Sequence, residues 1–319
     1  MKFQVRKNGK TTRNPQRRDG SKQKWHQEPG IAISEITASR KIITRCIFLL
    51  QNLLYPILFL VSKVASKHEV AVLLYHSVDS NGAFHAIHPK EFMRQMEYLR
   101  KNYSIVSLDE IRKFVEKGNS LPKKSVAITF DDGYYDNYLN VYPYLRKLKL
   151  PAAIFLTTGY CGKKTPLDGI PLRMLGWNEI EEMSRYNIII GAHTMTHPNL
   201  QKISLEKAEN EILGSKEEIE KKIGRDVNYF AYPLGLYNDE IADLVYCLGF
   251  RGAFGGKGLI RKGDKPFVLK RVPVYSSVTF MMFKARLTRA IEWFERIEQS
   301  AKKMINNFPV LSQIIYDVS

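Results

Sequence analysis

The chain has 319 residues, enough for one large domain with appendages. With 44% hydrophobic and 25% charged residues it has a globular composition, which excludes a fibrous or wholly disordered protein. Its three cysteines, Cys46, Cys161 and Cys247, lie far apart with no CxxC pair, so neither a disulfide framework nor a cysteine zinc site is expected.

The net charge of +17 is unevenly placed, because residues 1–45 hold 12 Lys and Arg against three acidic residues. Such a balance suits nucleic acid or an anionic membrane. The tail has one aromatic residue after Phe3, Trp25, and no nucleic-acid motif, so nucleic acid is not an expected partner. Residues 1–41 are expected to form a basic, disordered tail. Residues 42–66 form a hydrophobic segment, uncharged from Cys46 to Ser62 and followed by Lys63 and Lys67. It is expected to anchor the protein to a membrane, either spanning it or lying on it as an amphipathic helix, against the alternative of a buried helix in a soluble protein. The positive-inside bias then places the rest of the chain outside the cytoplasm. The long tail before it and the lack of a small-x-small site argue against a cleavable signal peptide.

From residue 69 to 275 short apolar runs alternate with amphipathic stretches. The expected strands are Val70–Tyr75, Tyr103–Ser107, Ser125–Phe130, Ala152–Thr157, Asn187–Ala192, Asn228–Tyr232, Gly252–Phe254 and Leu269–Val274. The expected helices are Pro89–Lys101, Leu108–Lys117, Asn137–Lys147, Trp177–Arg185, Leu205–Ile223 and Asn238–Leu248. Strand–helix alternation implies a parallel sheet with helices outside it, and seven or eight repeats favour a closed α/β barrel. Residues 276–319 read as a basic helical extension, with Met281, Phe283, Leu287, Ile291 and Phe294 on an apolar packing face.

Polar residues fall where these apolar runs stop. Ser125–Phe130 ends in Asp131-Asp132-Gly133, Asn187–Ala192 in His193-Thr-Met-Thr-His197, Val70–Tyr75 in His76-Ser77, and Asn228–Tyr232 in Pro233-Leu234-Gly235. In a parallel α/β barrel the C-terminal strand ends open on one face, and that face holds the active site. Asp-Asp-Gly alone is a common turn signal and His-x-x-x-His alone is weak; their joint placement after strands is the informative feature. Asp132, His193 and His197 make a two-histidine, one-carboxylate set with open positions, which suits zinc or non-haem iron. Asp131 points away from Asp132 in an extended strand end, so it stays available as a general base, equipment for hydrolysis and not for oxygen activation.

These segments resemble the motifs of the polysaccharide deacetylases, the NodB-homology or fourth carbohydrate esterase family. Thr129–Gly133 is similar to the first motif, His193–Pro198 to the second and Phe230–Gly235 to the third. The resemblance spans residues 69–275 and implies a distorted (β/α)7 barrel, a divalent metal, usually zinc, and hydrolysis of N-acetyl groups on N-acetylglucosamine-containing polymers. It implies Asp131 as general base, Asp132, His193 and His197 as metal ligands, and Tyr232 and Leu234 on the substrate side, Leu234 through its backbone N–H. The third motif lacks its usual Arg, with Ala231 in that stretch, and the late Leu-x-His motif is absent. Both departures point to the branch of biofilm poly-N-acetylglucosamine deacetylases, where a His after the first strand serves as the acid. His76 fits that position, and Arg271 is the candidate to orient the base. An O-acetyl esterase using the same site and a decayed, membrane-tethered carbohydrate-binding protein are the competing expectations.

Overall fold

The computed structural model describes Leu54, residues 56–61 and residues 69–306, apart from Asn81, Phe84 and residues 166–170. The expected basic tail, most of the expected anchor and the last 13 residues lie outside the described residues. Of the anchor, Leu58 and Phe59 pack against the core, while Ile57, Leu60 and Val61 are exposed. Among the described residues no helix is long and apolar enough to cross a membrane.

Seven parallel strands close into a ring: β1 (Glu69–Tyr75), β2 (Ser125–Phe130), β3 (Ala152–Leu156), β4 (Ile188–Ala192), β5 (Tyr229–Ala231), β6 (Gly252–Lys257) and β7 (Leu269–Pro273). Each pairs with the next in sequence, and β1 bridges β7 (Leu73 to Val272) and β2 (Leu73 to Ile128). The ring is distorted, since β4 meets β5 through the single pair Ala192–Phe230 and the β6–β7 register shifts between Leu269 and Arg271. The expected (β/α)7 barrel is therefore the observed architecture.

The main helices are α1 (Pro89–Asn102), α2 (Leu108–Lys117), α3 (Tyr142–Leu148), α4 (Trp177–Ser184), α5 (Leu205–Ile223), α6 (Asp239–Cys247), α7 (Phe280–Arg286) and α8 (Ala290–Asn306). The expected helix over Asn137–Lys147 begins as a π-turn, Asn137–Val141, before α3. The expected strand Tyr103–Ser107 shrinks to Ser104–Ile105 and stays outside the ring. Ser107 is diverted into a capping box with Glu110 that starts α2, so the extended run has no room to continue.

Side-chain alternation divides the strands between two cores. Leu73, Tyr75, Val126, Ile128, Phe130, Ile154, Leu156 and Ile190 face the outer helices. Val70, Val72, Ala127, Ala153, Phe155, Tyr229, Ala231, Phe254 and Leu269 fill the inside, which Leu108, Ile111, Phe114 and Val115 of α2 plug. Tyr229 at the start of β5 donates its hydroxyl proton to Asp109 of α2, which fixes that plug at the N-terminal end of the strands. Of the C-terminal apolar positions, Phe283, Leu287, Ile291 and Phe294 are buried on the outer core, whereas Met281 is exposed and belongs to no packing face.

Candidate metal and catalytic site

The inward alternation carries past the strand ends. Val70 and Val72 face inward on β1, and His76 continues their parity. Ala127 on β2 is followed by Thr129 and Asp131, Ile189 on β4 by Gly191 and His193, and Leu269 on β7 by Arg271. Four chemically active side chains thus reach the C-terminal mouth of the barrel because each lies an even number of residues beyond an interior one.

Asp132 breaks this parity. It adopts φ 70°, and Gly133 follows at φ 83°, where a Cβ would lie 2.8 Å from Leu156 Cδ2. The turn brings Asp132 Oδ1 to 3.6 Å from His193 Nε2 and 3.7 Å from His197 Nε2. The three ligand atoms lie within 4.8 Å of one another. A tetrahedral zinc with bonds of about 2.0–2.1 Å separates its ligand atoms by about 3.3 Å, so the two Asp132–histidine distances match a divalent cation's ligand sphere to within a few tenths of an ångström. His193 Nδ1 is 2.7 Å from the Ala231 carbonyl oxygen, and as donor there it leaves the Nε2 lone pair turned toward Asp132. Burial, with His197 and Arg271 helping and Asp131 opposing, lowers the His193 pKa to about 4, so the imidazole is in its neutral, ligating form. Of six non-glycine residues with positive φ among the described residues, four are Asp132, Thr194, His197 and Leu234, so backbone strain concentrates at this mouth.

Beside this cluster Arg271 grips Asp131 with both ends of its guanidinium, Nη1 to Oδ1 at 2.7 Å and Nη2 to Oδ2 at 2.6 Å. Nη1 also donates to Thr129 Oγ1 at 3.3 Å, and the cation lies 5.5 Å from the Phe155 ring centre and 6.0 Å from that of Phe254. Burial alone pushes the Asp131 carboxyl upward. Arg271, then His193 and His76, outweigh it and hold the carboxyl down at about 2.

A sequence profile described as "Polysaccharide deacetylase" matches residues 118–253. The Bacillus subtilis (strain 168) protein YxkH, which carries the polysaccharide deacetylase name, is 28% identical over 225 residues, 70% of this chain and 77% of its own. Poly-beta-1,6-N-acetyl-D-glucosamine N-deacetylase of Staphylococcus aureus (strain MRSA252) is 29% identical over 180 residues, 53% of this chain; this chain spans only 61% of that enzyme's length. Among solved structures, IcaB from Ammonifex degensii is 27% identical with a TM-score of 0.62, covering 70% of this chain and 98% of that one. Residues 118–253 are thus a polysaccharide deacetylase domain, similar to these deacetylases. The likeness to these deacetylases indicates a hydrolase acting on carbon–nitrogen bonds. The Streptococcus pyogenes deacetylase PplD, in complex with acetate, shares the fold at 23% identity and a TM-score of 0.61 over 70% of this chain and 99% of that one.

In this deacetylase His76 lies next to the three-residue cluster without joining it. Asn137 Nδ2 donates to the His76 carbonyl oxygen at 2.9 Å, and Asp136 accepts from Ser77 Oγ at 2.7 Å and from the Val78 N–H at 2.8 Å. The His76 ring stacks on His85 at 4.8 Å, with Tyr275 at 6.4 Å. Burial lowers the His76 pKa to about 3, against the pull of Asp131. The sequence reading missed Asp136 and Asn137, although their position five and six residues after Asp131 was the available signal. Leu234 sits at φ 60° in the Pro233–Gly235 turn with its side chain exposed.

Tyr232 is not placed as expected. Tyr229 and Ala231 of β5 face inward, so Tyr232 turns out with Phe230 and is fully buried in the outer core. Its hydroxyl donates to the Phe267 carbonyl oxygen at 2.8 Å and its ring packs on Tyr237, so no part of the side chain is available to a substrate.

The depressed histidines set a pH dependence. Below about pH 6.5 unfolded histidine takes up a proton that native His193 and His76 do not accept until about 4 and 3, so the unfolded chain binds more protons there. Asp131, held at about 2, acts in the same direction below the ordinary aspartate pKa. Stability of the metal-free protein is therefore expected to fall as pH drops from about 6.5 toward 3, by at most about 1.4 kcal/mol per pH unit for each excess proton. Denaturant melts at half-unit pH steps test this; a stability that is flat from pH 6.5 to 4 refutes it.

Proposed function

We propose that this protein is a metal-dependent N-deacetylase of N-acetylglucosamine polymers. The observation that carries the reading is an ionised, Arg271-gripped carboxylate beside a separate Asp132–His193–His197 cluster, which divides metal holding from proton removal. Asp132, His193 and His197 hold the ion, and two imidazoles with one carboxylate favour zinc. When bound, the cation supplies Lewis acidity and a lowered pKa for water.

Asp131 takes a proton from the attacking water as its oxygen bonds to the acetyl carbon. Arg271 keeps that carboxylate charged and aimed, and the Leu234 N–H donates to the acetyl oxygen as negative charge builds there. His76, neutral in the resting site, takes up the proton that Asp131 removes from water and hands it to the amine nitrogen as the carbon–nitrogen bond breaks, because an amide anion is too poor a leaving group. Acetate and a free amine leave, and the proton of the nascent acetic acid passes to solvent, so Asp131 and His76 end as they began. His76→Ala is expected to lower turnover by about 10²-fold and to leave zinc content unchanged. Atomic absorption on that variant decides the point, since loss of zinc makes His76 a ligand instead.

Incubating the full-length protein and zinc with β-1,6-linked and β-1,4-linked N-acetylglucosamine oligomers, and with O-acetylated sugars, tests the substrate class by mass spectrometry. Release confined to O-acetyl groups overturns the N-deacetylase reading. Supporting a membrane tether are the uncharged run Cys46–Ser62 and the exposed Ile57, Leu60 and Val61, with the barrel outside the cytoplasm. Fractionation answers that part: recovery in the soluble fraction without detergent counts against the tether.

A further inference from the structure

Two of the three ligand side chains, His193 and His197, come from one five-residue loop, and nearly every backbone group of that loop has a partner. On its carbonyl side, Thr158 N–H donates to the Thr194 oxygen at 3.2 Å and Gly159 N–H to the Met195 oxygen at 2.8 Å. Tyr160 donates its hydroxyl proton to the Thr196 oxygen at 3.3 Å. His193 N–H is held by the Leu156 oxygen, and His197 N–H donates to Thr194 Oγ1 at 3.0 Å. Two consecutive amides, Met195 N–H and Thr196 N–H, both converge on one oxygen of Glu211, at 2.9 and 2.8 Å, and Thr196 Oγ1 donates to its other oxygen at 2.6 Å.

Glu211 lies two turns into α5, and the helix comes close to the loop. A Cβ on Gly214 would lie 2.7 Å from Met195 Sδ, so a glycine at that position lets α5 approach and Glu211 reach. The loop it clamps carries positive φ at Thr194 and His197, a conformation that persists only where surrounding contacts impose it. A carboxylate accepting two backbone N–H groups and a hydroxyl is a charge-assisted, directional clamp.

We infer that Glu211 is a positioning residue for the metal site: it holds His197 in the strained geometry in which its Nε2 faces Asp132, and so sets the affinity of the site for a divalent cation. The inference rests on the reading of Asp132, His193 and His197 as ligands. Glu211 touches neither the ion nor the reacting atoms, and its influence passes through the loop backbone. Outer groups that orient ligands typically change metal affinity by about 10–100-fold when removed.

The test is zinc affinity of the full-length protein, measured by competition with a chromophoric chelator, alongside melting of the metal-free form. Glu211→Ala is expected to raise the zinc dissociation constant by about 10–100-fold, with turnover recovering at saturating zinc. Glu211→Gln keeps an acceptor for the two amides but loses the charge, so its loss is smaller. Glu217→Gln, an exposed change on the same helix, leaves the constant unaltered. Lower melting of Glu211→Ala with wild-type zinc affinity reveals a purely structural clamp and overturns the inference. If Glu211→Ala does not fold, wild-type affinity in Glu211→Gln overturns it equally. Wild-type protein that takes up no zinc overturns the metal-site reading, and the Glu211 role with it.

Discussion

Asp131→Asn is expected to keep its zinc and to lose turnover by about 10³-fold, within the usual range for removal of a general base. The amide matches the carboxylate in shape but cannot accept a proton from water. It also turns an N–H₂ toward the Arg271 fork, where two charge-assisted hydrogen bonds now reach Asp131. Breaking a buried ion pair from one side costs about 3–5 kcal/mol, so the variant should melt earlier as well. Zinc stoichiometry separates the roles, because Asp132, His193 and His197 are untouched. Near-normal turnover rules out Asp131 as the base, and loss of zinc reassigns it as a ligand.

Arg271→Met should be nearly as damaging by a different route. The methionine fills much of the volume between Phe155 and Phe254 but leaves the Asp131 carboxylate buried without its cation. A loss of about 3–5 kcal/mol is expected on denaturant melting. Burial then acts on Asp131 with less opposition, so its pKa rises from about 2 and protonation reaches higher pH. The acid limb of the activity profile should accordingly move to higher pH. Arg271→Lys keeps the charge without the bidentate fork and should fall between the two. Wild-type stability and an unshifted profile in Arg271→Met would show that the pair neither holds the fold nor sets the base.

Most of the barrel was legible in the chain. Each of the seven ring strands overlaps an expected strand, and β1 to β5 read as mainly apolar runs because burial on both faces favours apolar sequence, whereas β7 carries Lys270 and Arg271. The exception, Tyr103–Ser107, failed where a local capping box competed with strand extension. The expected joint location of His76, Asp131, Asp132, His193 and His197 followed from strand ends alone. Arg271 was legible only as a late-strand cation, since its partner lies 140 residues away and meets it only because the ring closes β7 onto β1 and β1 onto β2. Glu211 could not be found in the chain at all, since a glutamate on an amphipathic helix looks like any solvated charge until the helix docks.

Asp132 and Tyr232 mark the boundary between the two sources of information. Both stand one residue beyond an inward-facing position, so alternation alone assigns each to the outer layer. The apolar runs and their parity are local properties of the chain, and they determined which residues would crowd the mouth. Whether a given residue stays in parity depends on its backbone angle. Asp132 at φ 70° swings in to His193 and His197, while Tyr232 at φ −73° stays out and is buried. The surrounding packing selects those angles, and that packing exists only once the barrel has closed.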